Sequence, residues 1–130
     1  RGEAAAAGAD DAVMLNGAGR VACASAANIF LIRDGAVATP PLDEGAMPGI
    51  VRAVLLDRAK TAGIAIAEAP VEAQALRDSA LFLTNSLIGL RAASVGGGRE
   101  PDNAAQRILQ ALKSCYADAM SSDLAKRAAG

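Results

Sequence analysis

The sequence predicts an α+β domain in which helices flank a sheet that curls towards an α/β pseudo-barrel. Three observations lead there. Several short strand-like segments precede the first full helix, the dipeptide Asp34-Gly35 divides two of them as a tight hairpin, and a long amphipathic segment ends the chain. Strands gathered ahead of helices argue against the regular alternation of a βαβ array. The 130 residues fit one domain with a single core.

The elements follow in order. Residues from about Glu3 to Ala7 read as the end of a helix whose start precedes Arg1, stopped near Gly8. Ala12 to Leu15 reads as a strand, and Asn16-Gly17-Ala18-Gly19 turns the chain into a second one at Arg20 to Ala24. Asn28 to Arg33 gives the strongest strand signal. Asp34-Gly35 suits a type I′ turn, because glycine accepts the positive φ required there. The return strand, about Ala36 to Ala38, runs into Thr39-Pro40-Pro41, which cannot continue a central ladder.

Pro48-Gly49 opens a helix. Val51, Val54, Leu55, the stem of Arg58, Ala59 and Ala62 recur at helical spacing, and Gly63 is a natural stop. Ile64 to Ala69 reads as a strand, Val71 to Arg77 as a short helix, Ala80 to Thr84 as an apolar strand and Leu90 to Val95 as another. Gly96-Gly97-Gly98 opens a mobile loop. The last helix starts near Pro101-Asp102 with Ala105, Ile108, Leu109, Leu112, Cys115, Tyr116 and Ala119 on one face, and is expected to fray from about Ser121.

Composition narrows the chemistry. The chain is 52% hydrophobic but only 2% aromatic, so its core is built from small and branched aliphatic groups. Its net charge of −1 and the lack of any Lys/Arg run argue against a nucleic-acid partner. Ala80 to Leu90 is too short and too polar to cross a bilayer, and Glu3, Asp10 and Asp11 interrupt any signal-peptide core, so no membrane partner and a cytoplasmic location are expected. Histidine is absent, which removes Ser-His-Asp and Cys-His catalysis and His-based zinc sites. Cys23 and Cys115 share no metal-ligand spacing, and a structural disulfide is not expected. Any chemistry would come from a cofactor.

Three blocks carry a family resemblance. The first is Gly8 to Asn16 (Gly-Ala-Asp-Asp-Ala-Val-Met-Leu-Asn), then Gly19-Arg20-Val21 and Ala27-Asn28-Ile29-Phe30. The second is Asp34-Gly35 and Thr39-Pro40-Pro41, followed by Gly45 and Met47-Pro48-Gly49-Ile50-Val51-Arg52. The third is Leu81 to Gly89 (Leu-Phe-Leu-Thr-Asn-Ser-Leu-Ile-Gly). In this order and spacing, from about Glu3 to Val95, they resemble class IV (fold-type IV) aminotransferases and 4-amino-4-deoxychorismate lyases. The resemblance implies the C-terminal domain of the D-amino-acid aminotransferase-like fold, the cofactor pyridoxal 5'-phosphate (PLP), a small-molecule amine or amino-acid substrate and a homodimer. Residues 1–130 would then form a single domain, the C-terminal half of such an enzyme.

The same resemblance assigns roles. The loop before the helix at Gly49 would present main-chain N–H groups of Ile50 and Val51 to the cofactor phosphate, a task suited to a helix N-terminus. Gly49 would permit close backbone approach, and Met47 would pack on one face of the pyridine ring. The family often has threonine where Val51 stands, so a hydroxyl contact is lost. An ordinary Pro-Gly helix start is the bland alternative. Ser86 matches a second phosphate-side hydroxyl, with Asn85 in the turn before it; here the alternative is a Thr-Asn-Ser turn serving only the backbone. Cys23 stands where the family usually places a glutamate that pairs with the pyridine nitrogen. A thiol is a weak donor and would stabilise the substrate carbanion less. Equally, Cys23 is read as a small buried apolar residue.

The family's Schiff-base lysine is expected upstream of Arg1, as is the N-terminal domain. Lys60, Lys113 and Lys126 match no such position, so the chain alone is expected to be inactive, with no catalytic residue of its own. A non-catalytic truncated domain is a further alternative. The Asn-Ser-x-x-Gly turn leans towards the lyase branch; a branched-chain or D-amino-acid transaminase is the near alternative, and Ala92-Ala93 in place of the family's Pro-Val weakens the choice.

Overall fold

The computed structural model describes residues 13–94 and 102–129, with side chains described as far as residue 122. The helix expected at Glu3 to Ala7, the start of the first block from Gly8 to Ala12, and the loop at Gly96-Gly98 lie outside the described residues.

Two sheets form. Strands β1 (Val13–Leu15) and β2 (Val21–Ala24) make an antiparallel pair. The larger sheet contains β3 (Asn28–Arg33), β4 (Ala36–Thr39), β5 (Ile66–Glu68), β6 (Ala80–Asn85) and β7 (Gly89–Ala93), in the order β5-β4-β3-β6-β7. Only the β4–β5 pair is parallel. Asp34 (φ 51°) and Gly35 (φ 79°) both take positive φ, as a type I′ turn requires, so the β3–β4 hairpin forms where the sequence places it. Among the described residues three α-helices complete the fold, α1 (Ile50–Arg58), the single turn α2 (Ala75–Asp78) and α3 (Asn103–Ala129), with a 3-10 turn at Leu42–Glu44.

The five-stranded sheet is buried on both faces. Phe30, Ile32, Ala80 and Phe82 meet Val51 and Leu55 of α1 and Leu109 and Leu112 of α3. On the other face Ile29, Leu31, Leu81 and Leu83 meet Val21, Val71 and Leu76. The chain's two phenylalanines, Phe30 and Phe82, are cross-strand partners stacked with ring centroids 4.8 Å apart and an interplanar angle of 7°. Their pairing concentrates aromatic packing at the centre of an otherwise aliphatic core.

Several expectations need correction. In α1 the buried face is Val51, Arg52, Leu55 and Ala59, whereas Arg58 and Ala62 are exposed. The cause is the helix end. The N–H groups of Gly63 and Ile64 donate to the carbonyls of Lys60 and Ala59 (both 3.0 Å) around Gly63 at φ 76°, a Schellman closure that tightens the last turn and swings Ala62 outward. Val71 is not helical: its carbonyl accepts the Val21 N–H at 2.8 Å, which holds the segment extended against β2 and postpones α2 to Ala75. The backbone of α3 does not fray at Ser121 but stays helical to Ala129, in keeping with its Leu, Ala, Lys and Arg content. Asp102 caps it by accepting the Ala105 N–H at 2.8 Å.

Candidate functional site

One end of the five-stranded sheet gathers the start of β3, the ends of β4 and β6, and the loop that leads into α1. Asn28 opens β3 with Thr84 of β6 as its register partner, so the two side chains share the face covered by α1. Asn28 is 2% exposed and donates its amide to the Met47 carbonyl at 2.7 Å. The Gly49 N–H reaches the same carbonyl at 2.9 Å, closing a tight turn across Pro48. A Cβ on Gly49 would stand 2.2 Å from Asn28 Oδ1, so any other residue there must displace the buried Asn28 amide. The close approach that Gly49 makes is therefore to Asn28, a residue to which sequence reasoning gave no role. Its one signal was an asparagine opening an otherwise apolar strand.

The first turn of α1 is left open. Gly49 occupies the N-cap position with φ −74° and ψ 148°, and offers no side-chain cap. The first intrahelical bond runs from Ala53 N–H to the Gly49 carbonyl at 3.1 Å, so the N–H groups of Ile50, Val51 and Arg52 have no intrahelical acceptor. No acidic side chain stands in this turn to offset the positive end of the dipole. Ile50 is 66% exposed, which puts the turn at the surface, while Val51 buries its side chain in the core and leaves only its main chain available. Beneath, Thr84 is fully buried and its hydroxyl has no hydrogen-bond partner among the described residues. An uncapped helix start at the surface offers main-chain donors suited to an anion such as a phosphoester.

Met47 is half-buried. Asn85 uses its side chain on the backbone: Oδ1 accepts from the N–H groups of Leu87 (2.9 Å) and Ile88 (2.8 Å), and Nδ2 donates to the Ala26 carbonyl at 2.7 Å. It thus shapes the β6–β7 turn that presents the exposed Ser86 at the same end of the sheet. Cys23 lies apart, half-buried in β2 opposite Met14. Lys60 and Lys113 are exposed, the former beyond the C-terminal end of α1. No metal-binding cluster of His, Cys, Asp and Glu occurs among the described residues.

A polar clasp joins the β1–β2 pair to the loop before α1. Arg20 grips Glu44 with two hydrogen bonds, Nε to Oε1 at 2.6 Å and Nη2 to Oε2 at 3.1 Å, and Asn16 Nδ2 adds one to Oε1 at 3.0 Å. The hydrogen bond from Arg20, reinforced by that from Asn16, holds the Glu44 carboxyl below the usual carboxylate range, and the same bond raises Arg20. Sequence reasoning missed this clasp, because its partners lie 24 and 28 residues apart.

A sequence model of the amino-transferase class IV family matches residues 1–95. The chain belongs to this family. Within it, the branched-chain-amino-acid aminotransferase of Pseudomonas aeruginosa is 34% identical over 125 residues, covering 92% of this chain and 39% of its own length. A solved structure from Legionella pneumophila, named as a 4-amino-4-deoxychorismate lyase, matches with TM-score 0.73 and 30% identity over 83% of this chain and 42% of that one. The branched-chain aminotransferase from Thermoproteus uzoniensis with norvaline matches with TM-score 0.73 and 28% identity over 82% and 37%. These likenesses agree with the α+β class of the fold. The chain spans from 23% to 39% of the length of the family relatives it matches in sequence. No helix among the described residues is long and apolar enough to cross a membrane.

Proposed function

We propose that the chain is the phosphate-side, C-terminal domain of a PLP-dependent enzyme that transfers the amino group of a small amino acid. The observation that carries this reading is the uncapped first turn of α1 at Gly49, open at the surface with no acidic side chain to offset its dipole. A further solved branched-chain aminotransferase with this fold holds pyridoxamine 5'-phosphate, which supports a cofactor of that chemistry here. The main-chain N–H groups of Ile50 and Val51 would take the phosphate oxygens, and the Ser86 hydroxyl would add a donor from the β6–β7 turn. Met47 would pack on one ring face. PLP, when bound, supplies an electron sink for the carbon that loses its proton.

At the ring nitrogen the fit is poorer, because Cys23 offers a thiol where a carboxylate would hold a proton. The Schiff-base lysine and the domain that closes the substrate pocket are proposed to come from sequence ahead of Arg1, without which the 130 residues would bind but not turn over. A cytoplasmic homodimer is proposed for the whole enzyme.

Of the two branches, the names of the relatives favour a branched-chain aminotransferase over the lyase that the Asn85-Ser86 turn suggests. The lyase remains the second reading because of the 30% identity to the Legionella pneumophila structure. Assay of the enzyme encoded by the chain together with its upstream sequence separates them. Branched-chain amino acids that react only when 2-oxoglutarate is present support the transaminase. Release of pyruvate from 4-amino-4-deoxychorismate with no acceptor supports the lyase, and neither activity defeats both.

A further inference from the structure

Arg52 is the third residue of α1 and is only 5% exposed. Its Nη2 donates to the Pro40 carbonyl at 3.1 Å and to the Glu68 carboxylate, while its buried Nε has no partner among the described residues. For an isolated helix this is a poor arrangement. A cation in the first turn opposes the positive end of the dipole, and burying a guanidinium with one N–H unsatisfied adds desolvation cost. The nearest compensation comes from another element, since Glu68 lies on β5 with its side chain 45% exposed.

The two contacts show what the arrangement does. Pro40 follows the last residue of β4, and Glu68 is the register partner of Thr39 in β5. Arg52 therefore fastens the first turn of α1 to the ends of β4 and β5, while Asn28 fastens its entry to β3 through the Met47 carbonyl. Held at two points, the turn has little freedom to roll about the helix axis.

We infer that Arg52 is a positioning residue for the cofactor phosphate. It fixes the direction of the Ile50 and Val51 N–H groups and places a positive charge behind them. This rests on the phosphate reading proposed above.

The test uses the 130-residue chain and fluorescence titration with pyridoxamine 5'-phosphate, which carries the phosphate but cannot form an imine with lysine. Pyridoxamine is the control. Wild type binds the phosphorylated probe more tightly than the control. Arg52→Met weakens it by about tenfold or more, the equivalent of one charge-assisted contact. Glu68→Ala weakens it by several-fold. Glu68→Gln stays close to wild type, since its amide oxygen still accepts from Nη2. If Arg52→Met does not fold, the Glu68 pair decides. Wild-type affinity in both Arg52→Met and Glu68→Ala, with only Tm lowered, overturns the role of Arg52 and leaves the phosphate reading standing. A wild type that binds probe and control alike overturns both.

Discussion

The two ends proposed to hold the cofactor are anchored in different ways. At the phosphate end, α1 rests on the main core through Val51 and Leu55, directly over the Phe30–Phe82 stack, and its first turn is fastened by Asn28 and Arg52. At the ring end, Cys23 sits in a two-stranded hairpin. That hairpin packs Val21 and Ala24 into the second core cluster, meets Val71 through one main-chain bond, and reaches the loop before α1 through the half-exposed Arg20–Glu44 clasp. The lesson is one of resilience. The phosphate end should fail only with the whole fold, whereas the ring end hangs partly on an ion pair that acid can remove.

Phe82→Ala removes half of the central stack and is expected to cost about 3–5 kcal/mol, read from the denaturation midpoint. Both ends should be lost in one transition. Gly49→Ala drives a methyl group into Asn28 and is expected to cost about 1–3 kcal/mol. A cycle with Asn28→Ala should be strongly non-additive, because the clash vanishes once the amide is gone; simple additivity would show that the contact at Gly49 is not the cause.

The weaker side responds to pH. Glu44 has a folded pKa below its unfolded value, so the clasp stabilises the hairpin above the ordinary carboxylate pKa and loses that contribution as pH falls through the lowered folded value. Arg20 stays charged throughout and adds no slope of its own. An acid titration followed at Cys23 should show local loosening that Arg20→Met makes independent of acid, while signals from α1 stay unchanged over the same range. The smallest structural effect is expected from Cys23→Glu. In the PLP-loaded parent it should speed exchange of the substrate Cα proton with solvent, and an unchanged rate would support the purely structural role of Cys23.

Much of the fold was legible because it depends on local signals. Asp34-Gly35 dictates a positive-φ hairpin, Gly63 a helix stop, and Asn28 to Arg33 an apolar strand, whatever surrounds them. Two of the misplaced features share one trait, which is that a distant partner decides them. Arg52 is buried because Pro40 and Glu68 accept its hydrogen bonds, and periodicity instead chose Arg58, whose face turns to solvent. Val71 is extended because Val21 pairs with it.

The site shows the same division. The helix start itself was readable from Pro48-Gly49, whereas the phosphate role given to Ile50 and Val51 rests on the family resemblance. Asn28 and the Asn16–Arg20–Glu44 clasp were not, because partners 19 to 28 residues away leave no periodic trace.

The central claim is that the first turn of α1 takes the phosphate group. Amide-resolved NMR of the chain, titrated with pyridoxamine 5'-phosphate and separately with pyridoxamine, tests it most directly. Saturable shifts of the Ile50, Val51 and Ser86 N–H signals are expected with the phosphorylated compound alone. Shifts that leave Ile50 and Val51 unmoved, or that are equal for the two compounds, would contradict it.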